Sequence, residues 1–279
     1  MEKKVAVVTG ANKGLGFALV KGLCEKLDGT VYLTSRDEER GIQARNQLKK
    51  ISLKPEYCQL DVTEESSIKR FLTYIQNKRE KIEILINNAG VLFLKDAPEP
   101  KLFQAEQTLK VNFYSLVNFT EAILPILNDN GCILNISSSS GHLSRIPSED
   151  IRNRLSKPDL SLEELKTLMH EYLDAVKQNT EVEMWGASPY VVSKVGVNAY
   201  TFMLNRRLKN RGIRVNCVHP GYVMSDMTKG AGSISPEDAA SLPLQIALNP
   251  EDGGLFVWHD GSRVPWDGPD PRGYIDKIL

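Results

Sequence analysis

The sequence predicts an α/β protein built on a doubly wound parallel sheet, and two observations lead to this fold class. Short runs rich in Val, Ile and Leu recur along the 279 residues without alternating with polar residues, as expected for strands covered on both faces. Longer amphipathic stretches separate these runs. Regular strand–helix alternation of this kind implies parallel strands joined by right-handed crossovers.

The predicted elements follow one another along most of the chain. The predicted strands are Val5–Val8, Thr30–Thr34, Ile84–Ile86, Cys132–Ile136, Arg214–Val218 and Leu255–Val257, with Pro55–Leu60 as a weaker candidate. The predicted helices lie near 15–27, 37–50, 64–80, 103–128, 188–210 and 236–248. Because no internal repeat or low-complexity linker divides this pattern, we expect a single domain over residues 1–279.

Two segments depart from the alternation. In an insertion at about 141–187, Ser161-Leu162-Glu163-Glu164 is typical of a capping box, and apolar residues from Leu162 to Val176 follow at helical spacing. We expect this helix to pack on the domain; walling a substrate pocket or blocking a dimer face are the alternatives. The tail at about 258–279 is expected to be irregular, with aromatic residues that lie over the surface or help close the substrate site.

Composition argues against several classes of protein. Lys plus Arg equals Asp plus Glu at 35 each, which favours neither nucleic acid nor an anionic membrane as partner. No apolar run approaches the roughly 18 to 20 residues that span a bilayer, and the first run ends at Gly10, too early for a signal peptide. The four cysteines form no C-x-x-C pair, so we expect a reduced, cytoplasmic protein. The four histidines lack metal-ligand spacing, and no metal is predicted.

A glycine-rich turn directly follows the first predicted strand and opens the first predicted helix. It reads Thr9-Gly10-Ala11-Asn12-Lys13-Gly14-Leu15-Gly16. Glycines allow the backbone to turn tightly, and the free N–H groups of a helix N-terminus attract phosphate. This placement predicts a dinucleotide site, with an ordinary βα turn as the alternative.

The end of the second predicted strand indicates which dinucleotide binds. An acidic residue there usually holds a ribose 2′-hydroxyl, but this chain has Arg36, which suits a 2′-phosphate, and Lys13 could add a second positive charge. NADPH/NADP⁺ is therefore predicted. Asp37 is counter-evidence unless it begins the next helix. Asp61 and Val62 follow the third predicted strand and could contact adenine; a helix N-cap is an equal alternative for Asp61.

Tyr190 and Lys194 lie four residues apart on a predicted helix and so share one face. A nearby cation favours the ionised phenol and draws its pKa of about 10 toward neutrality, where a general acid works best. A surface tyrosine beside a solvated lysine is the alternative, and the pair by itself does not decide between them.

Six elements follow one another along the sequence: Thr9-Gly10-x-x-x-Gly14-x-Gly16, Asn87-Asn88-Ala89-Gly90, Asn112, Ser137–Ser140, Tyr190-x-x-x-Lys194 and Pro220-Gly221. In this order they resemble the motifs of the short-chain dehydrogenase/reductase family. The resemblance covers roughly residues 4 to 260 and implies a Rossmann-type fold. Within the family the chain is similar to NADPH-dependent carbonyl reductases, because it shares their type of glycine turn, the Thr-x-Arg-Asp strand end and a long insertion before the tyrosine.

The resemblance implies a catalytic set of Asn112, Ser138, Tyr190 and Lys194. Ser138, assigned to within one residue, would orient the substrate carbonyl, and Tyr190 would protonate the developing alkoxide. Lys194 would lower the pKa of the tyrosine and hold the nicotinamide ribose. Asn112 would help connect the lysine to a proton relay through water. Two alternatives stay open: the serine run could serve only to form a turn, and Asn112 could serve only to kink its helix.

The resemblance also implies the cofactor contacts. They are Gly10, Asn12, Lys13, Gly14, Leu15, Gly16, Arg36, Asp61, Val62, Asn88, Ala89, Gly90, Tyr190, Lys194, Pro220, Gly221, Val223 and Ser225. Val223 and the Ser225 hydroxyl would reach the carboxamide, and Tyr222 and Met224 would face the substrate. The segment 226–235 is expected to be a substrate lid, or else a disordered surface loop.

Together these expectations predict an enzyme that reduces ketones, aldehydes and quinones to alcohols with NADPH, with Tyr190 as proton donor. An alcohol, terpenoid or steroid dehydrogenase on the same fold and a non-catalytic dinucleotide-binding sensor are the alternatives. The expected partner is a small-molecule carbonyl substrate. Because the insertion covers a surface that many relatives use for oligomerisation, the resemblance implies a monomer.

Overall fold

A single parallel sheet organises the part of the chain that the computed structural model describes, residues 3–249 and 252–271. Its seven strands are β1 Lys4–Val8, β2 Gly29–Ser35, β3 Glu56–Gln59, β4 Ile82–Asn87, β5 Leu127–Ile136, β6 Arg214–His219 and β7 Phe256–Trp258. They lie in the order β3-β2-β1-β4-β5-β6-β7, and every neighbouring pair is parallel. The predicted doubly wound sheet is confirmed, including its weakest strand.

Helices cover both faces of this sheet. They are α1 Gly14–Lys26, α2 Glu38–Lys50, α3 Glu65–Asn77, α4 Lys101–Leu109, α5 Ser115–Ile123, α6 Glu149–Leu155, α7 Leu162–Gln178, α8 Glu181–Trp185, α9 Pro189–Leu208 and α10 Pro236–Leu248. In β1, Val5 and Val7 join one buried cluster and Ala6 and Val8 the other, as expected for a strand with two covered faces. Among these helices none is long and apolar enough to cross a bilayer.

The predicted helix near 103–128 is wrong in two respects. A π-helical turn, Lys110–Tyr114, interrupts it between α4 and α5. It also ends early, because a 3₁₀ turn with a proline at its start, Leu124–Ile126, follows α5 and β5 begins at Leu127. The predicted helix near 64–80 likewise stops at Asn77, and Arg79 has a left-handed φ of 57°.

The insertion forms three helices, α6 to α8; α7 packs on α4 and α9, and α8 packs on α7. The capping box forms at the start of α7, and its apolar stripe is buried. Gly196 of α9 leaves room for Met169, since a Cβ on Gly196 would come within 2.8 Å of the methionine sulfur. At the start of α8 the fully buried Glu181 pairs with Lys101 of α4. The insertion is therefore joined to the body by packing and by one partly buried ion pair.

The tail prediction agrees with the part of the tail that the structure describes. The segment 259–271 is irregular and mostly exposed. Two aromatic residues anchor the tail: Trp258 ends β7 and lines the large cavity described below, whereas Trp266 is buried elsewhere and stacks on Phe202 of α9, with ring centroids 5.3 Å apart. The predicted tail residues 272–279 lie outside the described residues.

Candidate active site

A cavity of about 1190 Å³ lies at the carboxyl ends of β1, β4, β5 and β6. The strand order reverses between β1 and β4, which is where open α/β sheets bind ligands. Every predicted cofactor residue lines this cavity: Gly10, Asn12, Lys13, Gly14, Leu15, Gly16, Arg36, Asp61, Val62, Asn88, Ala89, Gly90, Tyr190, Lys194, Pro220, Gly221, Val223 and Ser225. Ser138, Tyr222 and Met224 also line it, whereas Asn112 lies behind its wall.

The glycine turn brings backbone close to backbone at the cavity floor. Gly10 has a left-handed φ of 63°, and a Cβ there would lie 3.0 Å from the Cα of Ala89. A Cβ on Gly16 would lie 2.5 Å from the Asn88 amide nitrogen and 2.6 Å from the Gly10 carbonyl oxygen. Side chains at these two positions would clash with Asn88, Ala89 or the turn itself, so both glycines are needed for this cradle, the turn at the cavity floor, to lie against the end of β4.

Thr9 and Asn88 join the ends of β1 and β4. The Thr9 hydroxyl oxygen accepts hydrogen bonds from the backbone N–H groups of Asn88 and Ala89, each at 3.0 Å. The Asn88 amide donates in return to the carbonyl oxygens of Thr9 and Gly10 at 2.9 and 3.0 Å. The glycine motif includes Thr9, but the sequence pattern gave this residue no role. Its role is to hold together the two strands that flank the cradle.

The charged residues near Arg36 separate into different roles. Asp37 caps α2 and accepts a hydrogen bond from the Arg40 backbone at 2.9 Å, so it begins the helix, as the alternative reading proposed. Arg36 then presents the guanidinium at this wall of the cavity. Lys13 pairs with the Asp226 carboxylate, so its charge is already matched within the protein.

Asp61 is not a helix N-cap. Its carboxylate accepts hydrogen bonds from the Thr63 backbone N–H at 2.9 Å and the Thr63 hydroxyl at 2.7 Å, whereas Glu64 is the N-cap of α3. Asp61 thus forms a local turn at the cavity rim. Contact with adenine stays a prediction.

Helix α9 presents Tyr190 and Lys194 to the cavity. Ser188 caps the helix by accepting from the Val191 backbone at 3.3 Å, and Pro189 occupies its first turn. The Lys194 ammonium nitrogen lies 5.6 Å from the centroid of the Tyr190 ring. It donates to the Ile136 carbonyl oxygen at 2.8 Å. The predicted shared face therefore exists, with Lys194 buried and Tyr190 half-buried.

The expectation that Lys194 draws the tyrosine pKa toward neutrality is wrong for the protein alone. Burial raises the pKa of Tyr190 to about 12, and a hydrogen bond with Ser138 acts in the opposite direction. Burial also lowers the pKa of Lys194 to about 8. The physical reason is that the same burial disfavours both charged forms, the phenolate and the ammonium.

Ser138 lies two residues after the end of β5 and is the N-cap of a 3₁₀ turn, Ser139–Gly141. Its hydroxyl oxygen accepts a hydrogen bond from the Ser140 backbone N–H at 3.1 Å. The serine run therefore does provide turn chemistry, and this bond helps fix the hydroxyl that lines the cavity.

Asn112 lies in the π-helical turn and links two elements behind the cavity. Its amide exchanges hydrogen bonds with the backbone of Val91 at 2.8 and 2.9 Å. It also donates to the Ser193 hydroxyl, beside Lys194, at 3.1 Å. Helix irregularity at Asn112 is present as the alternative proposed, and π-turns often accompany functional sites. The proton relay stays a prediction.

The predicted lid is an ordered segment tied to both sides of the cavity. Val223 pairs with Ile234 in a short bridge, and Asp226–Thr228 form a 3₁₀ turn. Asp226 pairs with Lys13 on one side, and Lys229 pairs with Asp96 at 2.7 Å on the other. Because both pairs are exposed, each stabilises the segment only weakly. The alternative of a disordered loop is therefore wrong.

A sequence profile of the short chain dehydrogenase family matches residues 4–148 and 177–234. The chain belongs to the short chain dehydrogenase family. The unmatched stretch between these two ranges falls within the insertion and contains α6 and nearly all of α7, whereas α8 lies in the second matched range.

Curated relatives in this family agree with the predicted branch. Carbonyl reductase (NADPH) 3 of Rattus norvegicus is 39% identical over 89% of this chain and 92% of its own length. Carbonyl reductase (NADPH) 1 of Sus scrofa is 35% identical over 97% of this chain and 96% of its own length. The predicted family and the likeness to NADPH-dependent carbonyl reductases are confirmed.

Solved structures of plant family members share the architecture. Salutaridine reductase from Papaver somniferum is 30% identical, with a TM-score of 0.84 over 91% of this chain and 99% of its own. Menthone neomenthol reductase from Mentha piperita is 28% identical, with a TM-score of 0.78 over 93% and 99% of the two chains. The family fold therefore extends through most of the chain, including much of the insertion.

The structure also adds cavity residues that the family motifs did not indicate. Arg145, His219 and Trp258 line the cavity. Burial, followed by the neighbouring His259, lowers the pKa of His219 to about 3, so this side chain contributes a neutral ring. His219 immediately precedes the Pro220-Gly221 motif, which was the available signal. Trp258 begins the tail whose aromatic residues were the alternative candidates for closing the substrate site, whereas Arg145 carried no signal.

Proposed function

We propose that this protein reduces carbonyl groups of ketones, aldehydes and quinones to alcohols with NADPH. The observation that carries the proposal is the convergence of Ser138, Tyr190 and Lys194 on the cavity that also holds the glycine turn and Arg36. The names of the curated relatives, NADPH carbonyl reductases, agree with this chemistry.

The cavity residues fit a phosphorylated dinucleotide. Lys13, the N-cap residue of α1, makes no side-chain cap hydrogen bond, so the N–H groups of the first turn of α1 are available to a pyrophosphate, and the glycine turn beside them lines the cavity. Arg36 provides a planar, always charged donor for a 2′-phosphate. When bound, NADPH supplies the hydride.

The chain's own residues manage the oxygen of the substrate. The hydroxyls of Ser138 and Tyr190 donate to the carbonyl oxygen and stabilise the negative charge that develops there. Tyr190 then gives its phenolic proton to the alkoxide. Lys194, held by the Ile136 carbonyl, stabilises the tyrosinate that is left. Asn112 acts behind this set through Ser193 and the Val91 backbone.

The mouth of the cavity favours apolar substrates. Tyr222, Met224 and Met227 line it and remain partly exposed, so together they offer an apolar surface to a ligand. We expect the purified protein to oxidise NADPH when menadione or an aromatic aldehyde is added. The loss of NADPH absorbance measures this reaction. Activity only in the oxidative direction, with an alcohol and NADP⁺, would contradict the proposal.

We further propose a monomeric protein of the cytoplasm. Helix α7 packs on α4 and α9 and so occupies helix faces that would otherwise be open to a second subunit. The four cysteines are free. Light scattering is expected to give the mass of one chain, and a stable dimer mass would contradict this. Cell fractionation tests the location.

A further inference from the structure

The turn that carries Ser138 is closed by its own backbone. The Gly141 N–H donates to the Ser138 carbonyl oxygen at 2.9 Å, and the Ser140 N–H donates to the Ser138 hydroxyl at 3.1 Å. The direction of the Ser138 hydroxyl therefore depends on where the whole turn, 138–141, is held.

Asn198 of α9 holds this turn at both ends. Its amide nitrogen donates to the Gly141 carbonyl oxygen at 2.9 Å, and its amide oxygen accepts from the Ser137 hydroxyl at 2.6 Å. Asn198 is fully buried and lies four residues after Lys194, so the helix that carries the lysine also grips the serine turn. A Cβ on Gly141 would lie 2.6 Å from the Asn198 nitrogen, so the fit is close.

Trp266 provides a second donor to the same carbonyl. Its indole nitrogen donates to the Gly141 oxygen at 2.7 Å. The indole is 6% exposed and stacks on Phe202 with an interplanar angle of 28°. The backbone on both sides is also tied to the serine segment: the Leu143 N–H donates to the Trp266 carbonyl at 3.1 Å, and the Pro265 carbonyl lies 2.9 Å from His142 Nε2.

We propose that Trp266 is a positioning residue for Ser138, acting together with Asn198 through the Gly141 carbonyl. Trp266 does not line the large cavity, so it acts without touching substrate or cofactor. A carbonyl oxygen accepts two hydrogen bonds, and Asn198 and Trp266 fill both places on Gly141. This role rests on the proposed function of Ser138.

Loss of the indole donor leaves a buried carbonyl with one partner fewer. The turn can then shift toward a new partner, and small displacements of a substrate-orienting group reduce the rate of the chemical step. We therefore expect kcat to fall while KM for NADPH changes little. The glycine turn and Arg36, which would hold NADPH, follow β1 and β2 and do not belong to the segment that carries Ser138.

A cleft of about 350 Å³ on the outer side of Trp266 makes chemical rescue practicable. Phe202, Leu155, Val264 and Trp266 itself line it. Removing the indole in Trp266→Ala joins the vacated space to this cleft, where an added indole can bind. Indole restores the ring and the N–H donor, whereas 1-methylindole restores only the ring.

The test uses full-length protein and measures kcat at saturating NADPH, KM for NADPH by varying the cofactor, and the melting temperature. We expect Trp266→Ala to lower kcat about tenfold. Both additives should raise its melting temperature, but indole alone should recover kcat. Equal recovery of kcat by 1-methylindole would show that the ring only fills space and would overturn the proposal.

Trp266→Phe keeps an aromatic ring to stack on Phe202 but removes the indole N–H donor. This variant tests the proposal even if Trp266→Ala does not fold. It should lower kcat about three- to tenfold with little change in KM for NADPH. Trp185→Phe, at a buried indole that packs on Tyr172, is the matched control and should keep the wild-type kcat. Wild-type kcat in Trp266→Phe, with Tyr190→Phe inactive, would overturn this inference alone; full activity in Tyr190→Phe would overturn the proposed function.

Discussion

Replacing Tyr190 by phenylalanine is expected to lower kcat for carbonyl reduction by about 10³-fold, within the range of general acid catalysis. The phenol lines the cavity and interacts with Ser138, and no other hydroxyl on α9 has that position among the described residues. Phenylalanine preserves the ring beside the Lys194 ammonium but removes the proton. The measurement is NADPH consumption at saturating substrate.

NADPH binding provides the control for this variant, because the glycine turn and Arg36 are unchanged. Fluorescence titration should give a Kd within about twofold of wild type. Tyr114→Phe is a matched substitution outside the cavity, at a hydroxyl 3.5 Å from the Lys166 carbonyl, and should stay active. Undiminished turnover in Tyr190→Phe would remove Tyr190 as the proton donor.

Replacing Arg36 by alanine is expected to weaken NADPH binding by about 10- to 100-fold and to change NADH binding little. Charge-assisted hydrogen bonds to phosphate are worth about 1.5–3 kcal/mol, and only NADPH has the 2′-phosphate. Arg36 stands at the end of β2 on the cavity wall. Titration with both cofactors, and KM for both, measures the change.

Two neighbouring cations sharpen the Arg36 experiment. Arg40 does not line the cavity and pairs with Asp37 at 3.4 Å, so Arg40→Ala should leave the preference for NADPH unchanged. Lys13→Ala should have a smaller effect than Arg36→Ala, because Lys13 is already paired with Asp226. An equal loss of NADPH and NADH affinity in Arg36→Ala would contradict the assignment of Arg36 to the 2′-phosphate.

Much of the fold could be predicted because its pattern is local. Continuous apolar runs such as Val5–Val8 indicate strands with both faces covered, and the sheet contains each predicted strand within one or two residues, apart from an earlier start of β5 at Leu127. The ends of helices were harder to predict. The π-turn at Lys110–Tyr114 and the early end of α5 depend on packing and proline geometry that periodicity does not report.

The sequence could predict which residues form the candidate site, but not the directions of their pKa shifts. Motifs named the residues that line the cavity, because spacing on a strand end or helix face carries that information. The pKa directions of Tyr190 and Lys194 were not predictable, since they follow from how deeply α9 is buried against β5 and its neighbours. The pairing of Lys13 with Asp226 joins residues from opposite ends of the chain and had no sequence signal.

The sequence by itself determined the order of strands and helices, the family, and the polar residues at the strand ends, because short-range periodicity and fixed spacing encode all three. Only the tertiary structure decided what supports the reactive groups. Asn198 and Trp266 meet at the Gly141 carbonyl from 57 and 125 residues away. A buried hydrogen bond between such distant residues depends on the packed position of each element, which no local pattern records.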